Sequence, residues 1–100
     1  MAYHELLLKL MEGITDASVR ADIVTAFSYM VEAYRLGRID DERLKRDLNE
    51  LCLDVLSVKY PTRDIEELRG EAEEWAEKLY RVIKVMAVRE RTFIRSGLRE

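Results

Sequence analysis

The chain has 100 residues, 48% of them hydrophobic and 37% charged, with a formal net charge of −3. That length is the ordinary size of one domain and can bury a core without disulfides or metals, while the apolar content excludes intrinsic disorder. The slightly acidic balance excludes a general attraction to nucleic acid or to anionic membrane, so any such binding needs a local patch.

The punctuation divides residues 1–100 into four helical segments within one domain, with no repeat or linker. The first segment is predicted from about Ala2 to Glu12. Tyr3, Leu6, Leu7, Leu10 and Met11 fall at helical spacing on one face, and Gly13 stops it. The second begins at Thr15 or Asp16, either able to cap exposed N–H groups. Val19, Ile23, Ala26, Phe27, Met30, Val31 and Tyr34 form its expected buried stripe, and Gly37 stands where a left-handed C-terminal cap is wanted.

The third segment opens with Asp40 as N-cap, and Asp41 and Glu42 complement the positive end of the helix dipole. Ile39 and Leu44 match a hydrophobic staple. Leu44, Leu48, Leu51, Cys52 and Val55 face the core, Leu53, Leu56 and Tyr60 widen it, and Pro61 ends the helix. The run Leu36-Gly37-Arg38-Ile39-Asp40, followed by Glu42 and Leu44, resembles the helix connector of short SHOCT-type modules over less than a fifth of the chain. The resemblance implies a helical joint there, and no function is carried over from it.

The fourth segment is predicted as a long helix over about 64–96. Asp64 and Glu67 have capping-box spacing, and Ile65, Leu68, Ala72, Trp75, Leu79, Val82 and Met86 then alternate by three and four as a heptad seam. The next seam positions are Arg89 and Phe93, where the pattern weakens. Such a helix is about 50 Å long, whereas a compact domain of this size is roughly 26–30 Å wide. Part of it must project or be covered by another chain. Residues 82–88 are apolar enough to be a buried strand, but the helical period runs into them unbroken and no partner strand exists, so helix is expected. The fold class is therefore all-α, a four-helix bundle-like domain with a long C-terminal helix.

Chemistry is sparse. His4 is the only histidine and Cys52 the only cysteine, set in an apolar run without a base at helical spacing. No Gly-rich phosphate loop occurs. No catalytic, metal-binding or cofactor-binding residue is assigned, and an enzyme is not expected. The lone cysteine and the lack of a signal peptide or apolar span predict a cytoplasmic protein that does not enter membranes. The absence of Gln, a single Asn and abundant Glu, Arg and Lys point to a thermophilic source.

Charge along the fourth segment is the strongest signal outside the core. Residues 62–77 carry seven acids against two bases, and residues 78–100 carry seven bases against two acids. Two copies laid head to tail would match opposite halves, and a two-fold dimer suits such self-complementary charge. The expected function is a non-catalytic interaction or assembly module, as a homodimer or as a small subunit of a larger assembly. Trp75, Leu79, Val82, Val85 and Met86 are the candidate self-association residues. The alternative is a nucleic-acid-associated accessory protein, with Arg81, Lys84, Arg91, Arg95 and Arg99 as phosphate contacts. A helix-turn-helix role for Arg43, Lys45 and Arg46 is opposed by Asp40, Asp41 and Glu42 at the end that would approach DNA.

Overall fold

The computed structural model describes residues 2–98, with side chains described over 3–88. It contains α1 (Ala2–Leu10), α2 (Ala17–Arg35), α3 (Asp41–Lys59) and α4 (Ile65–Leu98), and no strand among the described residues. Each of the long helices starts on a sequence-encoded cap. The Asp16 carboxylate accepts from the Ser18 and Val19 N–H groups, Asp40 from Arg43 N–H at 2.8 Å, and Asp64 from Glu66 N–H at 3.3 Å. At the end of α2, Gly37 takes φ +74°, Arg38 N–H donates to the Ala33 carbonyl and Gly37 N–H to that of Tyr34. This double closure needs a left-handed residue, which is why glycine sits there.

Short connections make successive helices antiparallel. At one end of the bundle Tyr34 of α2 meets Asp41 of α3. At the other, Val19 and Ile23 lie beside Val55 and Val58. Between α3 and α4, Asp41 is level with Lys84, Lys45 with Tyr80, and Leu53 with Arg69. The helix α1 packs against α4 and α3 and ends at Leu10, two residues earlier than expected, because the chain turns through Gly13 at φ +96°. Its terminal carbonyls are taken up by cations from two other helices. Lys59 donates to the Leu10 carbonyl at 2.9 Å, and Arg20 donates to those of Met11 and Ile14.

The core joins all four helices: Leu7, Leu10 and Met11; Ile23, Phe27, Val31 and Tyr34; Leu44, Leu48, Cys52, Val55 and Leu56; and a stripe on α4. Ala26, expected inside, is exposed. The larger correction concerns α4. Its buried stripe is Leu68, Ala72, Ala76, Leu79, Tyr80, Ile83 and Ala87, whereas Ile65 is 43% exposed and Trp75, Val82 and Met86 are half-buried. A straight helix drifts about 20° per heptad against a seven-residue repeat. The predicted seam therefore starts in the core at Leu68 and Ala72 and slides onto the flank by Val82 and Met86. Nor is the apolar run 82–88 enclosed on all sides, since Val85 is 50% and Val88 49% exposed.

The projection expected from length is present. Lys84 is level with the first turn of α3, and α4 continues to Leu98. Those further residues add about 20 Å at 1.5 Å each. The radius of gyration of 14.9 Å and the 56 Å long axis reflect this, against about 13 Å for a compact chain of the same length.

Leu48 is fully buried at the centre of α3. Leu48→Ala should cost about 2–5 kcal/mol and lower Tm by about 10 °C or more in a domain of this size. Tyr29→Ser, at a highly exposed position on α2, should stay within about 0.5 kcal/mol. Thermal and urea denaturation followed by circular dichroism measures both.

Candidate interaction site on the long helix

Near its upper end α4 is tied to the rest of the bundle by a polar cluster fed by three helices. One oxygen of the Asp41 carboxylate accepts from the Tyr34 hydroxyl at 2.9 Å. The other accepts from the Tyr80 hydroxyl at 2.6 Å and from Lys84 Nζ at 2.8 Å. Lys84 also donates to the Tyr80 hydroxyl at 3.1 Å, and Lys45 Nζ lies 4.7 Å from the centre of the Tyr80 ring. The rings of Tyr34 and Tyr80 are buried while their hydroxyls reach the partly open carboxylate. Each tyrosine thus anchors in the core and directs one donor outward.

Charge states follow from these contacts. Hydrogen bonds from Lys84, Tyr80 and Tyr34 hold the Asp41 carboxyl well below the usual carboxylate range. Asp41, then Tyr80, holds the Lys84 ammonium above its ordinary value. Burial first, and then the bond to Asp41, raises the Tyr34 phenol. The cluster is an internally satisfied clamp, with Asp41 ionised, Lys84 charged and the Tyr34 phenol protonated at neutral pH.

Above the clamp, α4 carries apolar side chains around most of its circumference. Val82 and Met86 are half-buried on one flank and Val85 and Val88 are exposed, while Ile83 and Ala87 enter the core. Trp75 lies lower on the same flank as Val82 and Met86, packs against the core and has Lys78 Nζ 5.2 Å from its ring centre. Of the five predicted self-association residues, Leu79 must be removed. It is fully buried in the chain's own core, because the seam is still facing inward at that turn.

The predicted phosphate contacts fare differently. Arg81 is paired with Glu77 at 3.0 Å and Lys84 belongs to the clamp. The side chains of Arg91 and Arg95 lie outside the described residues, as does Arg99 entirely. In the helix-turn-helix alternative, Arg43 is bonded to Asp47 and Lys45 rests on Tyr80. His4 is exposed beside the Tyr3 ring. Cys52 is enclosed, with burial pushing its thiol up to about 12, so it is not a nucleophile at neutral pH. Among the described residues no group of His, Cys, Asp and Glu is arranged to hold a metal ion. Shallow clefts of about 180 and 220 Å³ run between α3 and α4, sharing Asn49 and Glu73.

The clamp escaped the sequence reading. Tyr34 lies on the core stripe of α2 and Asp41 in the first turn of α3, as their spacing predicts, but neither spacing reveals that they meet Tyr80 and Lys84. Comparison with known proteins finds no matching family model, no similar curated protein and no similar solved structure. No helix among the described residues is long and apolar enough to cross a membrane.

The clamp gives stability a defined pH dependence. Asp41, with its lowered pKa, stabilises the fold above its unfolded value, and that contribution begins to fade as pH drops below about 4 and is lost as pH falls through the much lower folded value. Lys84 and Tyr34, with raised values, contribute below their unfolded values and lose that contribution as pH rises beyond about 10. Asp41→Asn should cost about 1 kcal/mol at pH 7, discounted for the half-exposed carboxylate. The difference from the parent should narrow at pH 3. Urea titrations of both proteins at the two pH values check this.

Proposed function

We propose that the protein is a non-catalytic helical assembly module that self-associates through α4. The observation that carries this reading is the way α4 leaves the bundle. Past the Asp41–Lys84 clamp it continues for about four turns, and around the point of departure Val85 and Val88 are about half exposed while Val82 and Met86 are only partly covered. A helix apolar around its circumference is normally enclosed by other elements, and each buried aliphatic side chain contributes roughly 1.5–3 kcal/mol. A second copy is the partner that self-complementary charge favours. The first half of α4 is acidic and the second basic, so head-to-tail pairing matches opposite charges twice. The rival phosphate-binding reading is weakened by the engagement of Arg81 and Lys84 within the chain. Cys52, enclosed and reduced, fits a cytoplasmic setting, and the amide-poor, charge-rich composition fits a thermophilic source.

Met86 and Val88 are two residues apart and so lie on opposite sides of α4. The parent protein should sediment as a dimer at micromolar concentration. Met86→Glu combined with Val88→Glu should sediment as a monomer with its helical circular dichroism retained. A parent that stays monomeric to about 100 μM, far above the range of specific association, would sink the proposal.

A further inference from the structure

We propose that α4 of a second copy packs antiparallel along the flank formed by Val82 and Met86, filling the corner of the bundle above α1. The proposal rests on the assembly reading above and names its surface and direction. Its first support is the height of α1. Leu10 meets Lys59 at the far end of α3, and the Tyr3 ring lies 5.8 Å from that of Phe27. Phe27 is two turns below Tyr34, which is level with Asp41 and Lys84. Thus α1 reaches only midway up the bundle, and Val82 and Met86 stand about 10 Å above its first turn.

The second support is the side of α4 involved. Glu73, Glu77, Tyr80 and Lys84 face α3, and Val82 and Met86 lie about half a turn round α4 from them, above the level that α1 reaches. Among the described residues no helix covers that flank higher up. A three-helix arrangement of α2, α3 and α4 at that level has a vacant fourth position, and the half-buried Val82 and Met86 line one wall of it.

The third support is periodicity. The intramolecular core of α4 uses Leu68, Ala72, Ala76, Leu79, Ile83 and Ala87, spaced by four, four, three, four and four. Val82 and Met86 are outside that stripe and outside the side chains packed against it, yet they continue from Trp75 the 3.5-residue repeat that two supercoiling helices require. One helix therefore carries two seams, and the chain's own core occupies one of them.

Charge sets the direction. Residues 62–77 carry seven acids against two bases and residues 78–100 seven bases against two acids. Parallel copies would place like charge on like, whereas antiparallel copies run each acidic half beside the other's basic half. Setting Val82 of one copy opposite Met86 of the other puts the two-fold axis at the level of Lys84, so that Glu71, Glu73, Glu74 and Glu77 of each copy run beside the stretch 91–97 of the other, which carries Arg91 and Arg95. Glu67 and Glu74 on the acidic half form no ion pair among the described residues and remain available to a partner.

The test separates the flank from the assembly itself. In sedimentation equilibrium, Met86→Glu alone should weaken the dimer at least about tenfold, since it buries a charge twice in a two-fold interface. Val88→Glu, on the opposite side of α4, should change it less than about threefold, with helicity unchanged in both. In a Cys52→Ser background, a spin label at Glu74→Cys should report an inter-copy distance near 30 Å, the offset expected for this antiparallel register. A dimer broken by Val88→Glu and indifferent to Met86→Glu would overturn the flank while leaving self-association standing. A label distance below about 20 Å would overturn the antiparallel direction, since parallel copies hold identical positions side by side. A parent protein that never dimerises would end the assembly reading itself.

Discussion

A straight α-helix cannot keep a seven-residue apolar repeat on one side, because the repeat drifts by about 20° per heptad. That mismatch organises α4. Leu68 and Ala72 begin on the inward face, and the seven-residue steps from Leu68 lead to Trp75 and then Val82, each half-buried. The core compensates by recruiting Ala76, Tyr80, Ile83 and Ala87, which hold the inward face where the heptad residues leave it. Small residues at Ala72 and Ala76 admit close approach by α3. Higher up, Tyr80 has a ring long enough to remain in the core and still present its hydroxyl to Asp41.

The Asp41 clamp matters because of where that drift has taken α4 by Tyr80. It joins the end of α2, the start of α3 and the upper part of α4 through one carboxylate. Hydrogen bonds to a charged acceptor are stronger than neutral ones, and the acceptor sits in the first turn of α3, where the helix dipole favours negative charge. A single carboxylate thus fixes the rotation of α4 about its axis at the height where it parts from its neighbours. With that rotation fixed, Ile83 and Ala87 turn inward and Val82 and Met86 are left on the flank.

Local signals were legible in the sequence and non-local ones were not. Asp16, Asp40 and Gly37 announce their helix ends because capping is a contact between residues two to five apart. The all-helical fold and the overlong fourth helix followed from the same short-range patterns. Ala26 was misplaced because an alanine at the edge of a stripe carries little apolar area to hold it inside. The seam on α4 was read as one stripe when it is a core stripe plus a flank, since seven-residue and 3.6-residue periods separate only after several turns. The clamp joins residues 7, 39 and 43 positions from Asp41. No spacing rule connects such distances. The ties from Lys59 to Leu10 and from Arg20 to Ile14 are hidden for the same reason.

The charge division along α4 gains meaning once the local pairs are known. Glu66 faces Arg69, Glu71 faces Arg63 and Glu77 faces Arg81, so several acids are answered within a turn or by the preceding loop. Pairs of this kind are worth a few tenths of a kcal/mol each, and they need neighbours of opposite sign rather than separate blocks. A helix optimised only for local pairing would intersperse its charges, and the dipole effect fades within the end turns. Six acids over 65–77 followed by six bases over 78–98, with one opposite charge in each block, satisfy neither requirement. What such a division does favour is a reversed copy of itself, and the flank that the drift exposes supplies an apolar surface on which that copy can lie.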